Sequence, residues 1–352
     1  MASSLCSLHA PIARTNRQRA DFKQAKLRAQ PARSHAMRVS ASSSAAEPTE
    51  VVIRRRPPSG VGSHSCGPDF DFKVEGADEP INILEEIVWS KNPELDRRKE
   101  KLPLPLLMNM VKAAAPARDF LGALLDFYER TGKPGLISEV KKASPSKGVI
   151  QPDFDPVRIA TEYEKGGASC LSVLTDEKYF QGSFENLKAI RRAGVECPLL
   201  CKEFIIEPYQ IYLARAMGAD AILLIAAVLP NQDLTYLMKI AHSLGMTVLV
   251  EVHTHKEMER VLELEDLKLL GINNRDLGTF EVSLDVTVDL MAGPLGDIVR
   301  ERGITMVGES GIFTPDDVKV VQDAGVKAIL VGESLVREND PATAIRTLLS
   351  LD

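Results

Sequence analysis

The sequence predicts an α/β protein built as a (β/α)8 TIM barrel with an N-terminal helical extension. Three observations predict it. From Gly135 onward, short apolar runs of strand length alternate with amphipathic stretches of helix length. Eight such pairs occupy roughly 215 residues, the usual size of this barrel. The first strand then runs into Lys-Lys-Ala-Ser-Pro-Ser-Lys-Gly (141–148), not into the Gly-rich fingerprint of a doubly wound dinucleotide-binding sheet, which would also normally hold fewer strands.

The chain reaches that barrel through two other segments. Residues 1–46 carry eight Lys/Arg against one acid, Asp21, and are rich in Ser and Ala without a long apolar run. Arg-rich, Ser-rich and acid-poor is the composition of an organelle transit peptide, with Met37-Arg38-Val39-Ser40-Ala41 as the expected processing region. Chloroplast is the preferred destination and mitochondrion the second. Residues 47–79 are rich in Pro, Gly, Ser and charge, and read as a disordered linker. Residues 80–352 are expected to form a single barrel domain that includes N-terminal helices over 80–133. The formal charge of −6 hides this division: 35 basic and 48 acidic residues outside the first 46 give the remainder −13. A body this acidic excludes general nucleic-acid binding. No apolar run reaches the roughly 20 residues of a membrane span. The five cysteines lack metal-ligand spacing and read as free thiols. His253 and His255, two apart after an apolar run, read as a loop feature.

The elements follow in order. Ile81, Leu84, Ile87 and Val88, then Leu106, Leu107, Met110 and Val111, then Phe120, Leu121, Leu124, Leu125 and Tyr128 repeat at helical intervals, and Pro103, Pro105 and Pro116 divide them into separate helices. Strands are expected at Leu136–Val140, Cys170–Leu174, Leu199–Phe204, Ala221–Ile225, Thr247–Val252, Leu269–Ile272, Ile304–Val307 and Ala328–Val331. Helices are expected near 156–166, 184–193, 207–217, 231–244, 254–264, 283–290, 315–324 and 341–350. Gly166, Gly194, Gly218, Gly245 and Gly325 serve as helix stops, and Asn231 and Thr314 as N-caps.

In such a barrel the chemistry sits at the C-terminal ends of the strands. Charged and polar residues interrupt the apolar runs there: Glu139 and Lys141 on the first strand, Lys202 on the third, Glu251 on the fifth, Asn273 and Arg275 on the sixth, Glu309 and Ser310 on the seventh, Glu333 on the eighth. A Lys or Glu after three apolar strand residues is costly unless it meets a partner or a ligand. One such residue could be a rim ion pair; six strand ends together point to acid/base chemistry on an anionic substrate. Ser310-Gly311 and Gly332-Glu333 are Gly-containing turns after the last two strands, the usual phosphate position of these barrels. No carboxylate cluster suggests a tightly held divalent metal.

Several segments resemble the indole-3-glycerol-phosphate synthase family: Ser138-Glu139-Val140-Lys141-Lys142-Ala143-Ser144-Pro145-Ser146, the run Leu171 to Ser183, Leu200 to Ile205, Gly271 to Leu277 and Gly308 to Ile312. The resemblance runs from about Pro80 to the C-terminus, in order, one segment per strand. It implies closure of 1-(2-carboxyphenylamino)-1-deoxyribulose 5-phosphate to indole-3-glycerol phosphate, with loss of carbon dioxide and water and without a cofactor. It implies Lys202 as general acid and Glu251 as its acid/base partner. Lys141 would bind the anthranilate carboxylate or the phosphate, and Glu139 and Asn273 would hold Lys202 and the substrate hydroxyls. Ser310, Gly311, Gly332 and Glu333 would form the phosphate turns. Phe180, Phe204 and Leu223 would wall the aromatic ring, with Arg275 and Ser144 nearby. The second phosphate turn often carries Ser where this chain has Glu333, so Glu333 is expected to offer its backbone N–H and turn its carboxylate away. The partner implied is the phosphorylated small molecule itself; a transient contact with tryptophan synthase stays open. The rivals are another phosphosugar barrel, such as a phosphoribosylanthranilate isomerase or a tryptophan synthase α-type lyase, and a barrel kept as a scaffold. The first would not require the Glu139/Lys141/Lys202/Glu251 set, and the second predicts damage at the strand ends.

Overall fold

In the computed structural model, which describes residues 79–80, 82–276, 281–338 and 340–351, eight parallel strands close on themselves. The transit peptide expectation, the linker expectation up to residue 78, Cys6, Cys66, Ile81 and Leu277 lie outside the described residues. Three helices come first: α1 (Ile83–Lys101), α2 (Leu104–Ala113) and α3 (Phe120–Thr131). The barrel opens with β1 (Gly135–Val140), followed by a small antiparallel hairpin of β2 (Ala143–Ser144) and β3 (Gly148–Val149), then α4 (Pro156–Gly166). Next come β4 (Cys170–Leu174), α5 (Phe184–Arg192), β5 (Leu199–Lys202), α6 (Pro208–Ala216), β6 (Ala221–Ile225), α7 (Asn231–Ser243), β7 (Thr247–Val252), α8 (His255–Val261) and β8 (Leu269–Asn273). The last part is α9 (Asp285–Ala292), α10 (Pro294–Arg302), β9 (Thr305–Glu309), α11 (Pro315–Asp323), β10 (Ala328–Val331), α12 (Glu333–Val336) and α13 (Pro341–Leu349).

The ring closes because β1 pairs on both edges, with Ile137 opposite Cys170 of β4 and Gly135 opposite Ala328 of β10. Almost every barrel-strand residue is buried, which is why these strands read as continuous apolar runs rather than as alternating ones. The expected (β/α)8 barrel is thus present; besides small shifts of element ends, the β2–β3 hairpin and the short α12, five differences bear on how the sequence reads. The third strand ends at Lys202 and leaves Phe204 in the following loop. The seventh starts at Thr305 and reaches Glu309. Asn231 opens its helix instead of capping it: Pro230 is the cap residue, and the Asn231 amide donates to Arg260 O at 2.6 Å. A helix, α10, follows α9 where only one was expected, although Pro294 at its start and Gly303 in a left-handed conformation at its end are the signals that mark it. The fifth concerns Gly166. It is the last residue of α4, and Gly167, at φ 96°, is the left-handed stop. Gly166 is needed for another reason: a Cβ there would stand 2.8 Å from Ala342 Cα of α13. Gly166→Ala is therefore expected to overpack this junction and lower stability by about 1–3 kcal/mol, read from chemical unfolding.

The helical extension is tied to both ends of the barrel. At the mouth, Lys91 of α1 is buried and its Nζ meets Asp176 Oδ2 at 2.6 Å, Glu203 Oε1 at 2.8 Å and Glu94 Oε2 at 3.1 Å. Tyr209 Oη of α6 donates to Leu102 O at 2.9 Å beside α2. At the opposite end, in the loops that precede β5 and β6, Arg118 N donates to Asp220 Oδ1 at 2.8 Å and its guanidinium donates to Val195 O and Glu196 O, each at 2.7 Å. Phe120 and Leu124 of α3 then bury completely in the hydrophobic core. A Cβ at Gly135 would collide with Leu124, so α3 and β1 touch backbone to backbone.

Candidate active site

Every site residue expected from the sequence lines one cavity at the C-terminal mouth of the barrel. Glu139 leaves the end of β1 and Lys141 follows it; Ser144 belongs to the hairpin. Phe180 comes from the loop after β4, Lys202 from the last position of β5 and Phe204 just beyond it. Leu223 lies on β6, Glu251 on β7 and Asn273 on β8, with Arg275 two residues on. Ser310 and Gly311 follow β9, and Gly332 and Glu333 follow β10. The period of two along each strand aims these side chains inward. Leu84 and Ile87 of α1 add an apolar side to the same cavity.

Its centre is a chain of charges. Lys202 Nζ lies 3.0 Å from Glu251 Oε2 and 2.7 Å from Glu309 Oε2. Asn273 Nδ2 donates to Glu251 Oε1 at 3.3 Å. Glu139 pairs with Lys141. The two expected supports of Lys202 are therefore reassigned: Glu309, not Glu139, is its second direct partner, and Asn273 braces Glu251 rather than Lys202. Glu139 points to Lys141 because the two are neighbours on one face of β1 and the loop beyond it.

Burial works against the charged form of all three central groups, and their mutual attraction decides the outcome. Burial lowers the Lys202 pKa, but Glu251, Glu309 and Glu139 outweigh it and raise it above the ordinary lysine range. Burial raises Glu251, yet Lys202 and then His253 hold its carboxyl down at about 2. Glu309 is pushed up to about 7 by burial and by the Glu251 charge, against the pull of Lys202. Two carboxylates sharing one ammonium cannot both be fully compensated, so the pair as a whole holds on to a proton more readily than a lone carboxylate, with Glu251 held down and Glu309 pushed up. The site thus offers a permanent ammonium, an ionised carboxylate and a carboxyl poised between its two forms, a set suited to moving protons to and from oxygen.

Glu309 is among the strand-end charges legible in the sequence but carries no expected role there; the structure sets it directly against Lys202. A second signal for it is Gly271. A Cβ on Gly271 of β8 would overlap Glu309 Oε1, so the glycine makes the room the carboxyl occupies. Gly271→Ala is expected to displace Glu309 from Lys202 and lower kcat in a chain that still folds, which a turnover assay paired with circular dichroism measures.

Around this centre the cavity divides. Phe180 and Phe204 face each other with ring centroids 5.9 Å apart, tilted by 37°, and make an aromatic wall. On the other side, Ser310 (φ 63°) and Gly311 (φ 79°) form a left-handed turn after β9. Asn274, buried and unnoticed in the sequence, fastens that turn: its Nδ2 donates to Glu309 O at 3.0 Å and Ser310 O at 3.2 Å, and its Oδ1 accepts from Thr287 Oγ1 at 2.7 Å. Gly332 precedes the short helix α12, and a Cβ there would overlap Glu139. The Glu333 carboxylate pairs with Arg337 at 2.9 Å and stands 3.9 Å from Arg275. Among the described residues, no three His, Cys, Asp or Glu are grouped to hold a metal, and no helix is long and apolar enough to cross a membrane.

A closed (β/α)8 barrel with an ammonium set between two buried carboxylates at its C-terminal mouth has the form of a barrel enzyme. Its sequence places it more narrowly. The profile of indole-3-glycerol phosphate synthase matches residues 84–348. The chain is 58% identical over 300 residues to the chloroplastic indole-3-glycerol phosphate synthase of Arabidopsis thaliana, covering 85% of this chain and 74% of that one. It is 55% identical over 301 residues to the indole-3-glycerol phosphate synthase of Crocosphaera subtropica, covering 85% of this chain and all of that one. A third, from Microcystis aeruginosa, is 58% identical over 272 residues, which cover 77% of this chain and 90% of that one. The chain belongs to the indole-3-glycerol phosphate synthase family, decarboxylating carbon–carbon lyases of tryptophan biosynthesis.

Proposed function

We infer that this barrel mouth closes 1-(2-carboxyphenylamino)-1-deoxyribulose 5-phosphate to indole-3-glycerol phosphate. The observation that carries the reading is the Glu251–Lys202–Glu309 chain set between an aromatic wall and a left-handed turn. In this reaction the ring carbon that bears the carboxylate attacks the ketone carbon of the sugar chain. A carbon–carbon bond forms and the carbonyl oxygen takes a proton. Carbon dioxide leaves, its bonding electrons restoring the ring, and loss of a hydroxyl as water with a proton completes the indole. The amino-substituted ring is itself the electron source, so the enzyme has only charge and protons to manage.

Lys202 is the group we assign to the carbonyl oxygen. Its ammonium stabilises the oxyanion as it forms and delivers the proton. A lysine held by two carboxylates gives up a proton reluctantly; Glu309, titrating near neutrality, can resupply it. Glu251, held ionised, takes the proton lost on dehydration. Lys141, braced by Glu139, would bind the anthranilate carboxylate or the phosphate. Ser310, Gly311, Gly332 and Glu333 would offer backbone N–H groups to the phosphate, with Arg275 and Ser144 nearby, and the Glu333 carboxylate is occupied by Arg337. Phe180, Phe204 and Leu223 would enclose the ring.

The same proposal extends to the rest of the chain. Residues 1–46 act as a transit peptide, 47–79 as a linker and 80–352 as one catalytic domain working in the chloroplast stroma, which the basic, Ser-rich N-terminus and the chloroplastic relative support. Handing of the product to tryptophan synthase is the finest part of it. A substrate comparison tests the reaction. The carboxyphenylamino substrate should yield indole fluorescence, its dephosphorylated form should lose most of kcat/KM, and phosphoribosylanthranilate should give none. Turnover of phosphoribosylanthranilate alone would favour the isomerase reading.

A further inference from the structure

The buried imidazole of His253, one of the groups that hold the Glu251 carboxyl down, has no assigned role in the reaction, yet it stands directly behind Glu251. It follows Glu251 by two residues just past β7. Its Nε2 lies 3.4 Å from Glu251 Oε1, and its Nδ1 lies 3.5 Å from Glu257 Oε2 in the first turn of α8. Both contacts are in ion-pair range, and neither N–H is aligned for a hydrogen bond. Glu257 is itself fixed, since its Oε2 accepts from the His253 backbone N–H at 2.7 Å. The charges therefore continue across the mouth in one line: Glu257, His253, Glu251, Lys202, Glu309.

We propose that His253 is a positioning residue for Glu251, a buried imidazolium clamped between two carboxylates that holds Glu251 in place and keeps it ionised. This rests on the role given to Glu251 above. Charge balance supports it. Three carboxylates and Lys202 alone would leave the line at −2, where an anionic substrate must enter; a charged His253 brings it to −1, and the proton on Glu309 absorbs much of the rest. Burial opposes charging of the ring, but Glu257, Glu251 and, more distantly, Glu309 outweigh it and raise the imidazole above the ordinary histidine range. Among the described residues, these carboxylates are the charged groups that act on the ring, and Lys202 lies beyond Glu251.

The test is the pH profile of kcat for wild type, His253→Gln and Glu257→Gln. Removing the imidazolium takes a cation from beside Glu251, so the near-neutral inflection of the Glu251/Glu309 pair should move to higher pH by roughly one unit in His253→Gln. In Glu257→Gln, which weakens the hold on the imidazolium, the His253 ring should lose its proton at lower pH than in the wild-type chain. In 15N-histidine spectra of the wild-type chain, the His253 ring should stay doubly protonated above the ordinary histidine range. A His253→Gln chain with lowered stability but an unmoved inflection would mean that the ring only fills space, and a neutral ring at neutral pH would overturn the proposal outright. If Glu251→Gln itself left turnover intact, it is the assignment of Glu251 that fails, and the two failures are told apart.

Discussion

Lys202→Ala and Glu251→Gln each lower kcat by at least about 10²-fold, the usual size of an acid/base contribution. The expected losses arise differently. Lys202→Ala removes the charge that faces the carbonyl oxygen and leaves Glu251 and Glu309, both within 3.0 Å of its ammonium, to repel each other. Both carboxyls should then titrate higher, and the residual activity should carry a pH profile displaced upward. Glu251→Gln keeps the shape and the contact with Asn273 but cannot accept a proton. Its loss should fall on kcat with KM little changed. Steady-state indole fluorescence across pH measures both; near-normal turnover in the pair would remove the acid/base assignment.

Lys91→Met should cost about 3–5 kcal/mol of stability, the penalty for leaving buried carboxylates without their cation. Asp176 and Glu203 are both fully buried at the barrel mouth, and Lys91 is the ammonium that serves them. Burial already raises Glu203 above the ordinary carboxylate range even with Lys91 in place. Without Lys91 its folded-state pKa rises further above the unfolded value, so the folded variant takes up protons as pH falls. The deficit against wild type should therefore be largest at neutral pH and shrink toward acid. Urea unfolding at several pH values checks this. Because Glu203 adjoins Lys202 and Asp176 accepts from the backbone N–H groups of Tyr179 and Phe180, the loss should also loosen the aromatic wall and raise KM.

The barrel was legible because its signals are local. Fully buried parallel strands read as apolar runs, and glycines and prolines punctuate the helices between them. The inward-facing residues of the site were legible for a related reason: a charge at the end of an apolar run stands out against its surroundings. What joins those residues was not. Whether Lys202 takes Glu139 or Glu309 as its second carboxylate depends on the curvature that brings β9 opposite β5, which no spacing encodes. Asn274 reads as a loop polar residue until its amide is seen holding the turn after β9. Lys91 reads as one charge in a charged helix, and only the docking of α1 buries it. His253, read as a loop histidine, turns out to be enclosed between two carboxylates because α8 folds back immediately after β7. The extension helices show the same limit: their periodicity marks them as helices, but their path from the mouth of the barrel to its opposite end is set by Lys91, Arg118 and the core around Leu124.

The most direct measurement mixes the purified chain with 1-(2-carboxyphenylamino)-1-deoxyribulose 5-phosphate alone and follows indole emission and carbon dioxide release together. Multiple turnovers with one carbon dioxide per indole, abolished in Lys202→Ala, are the predicted result. No indole under any condition, or indole formed equally well without Lys202, would contradict it.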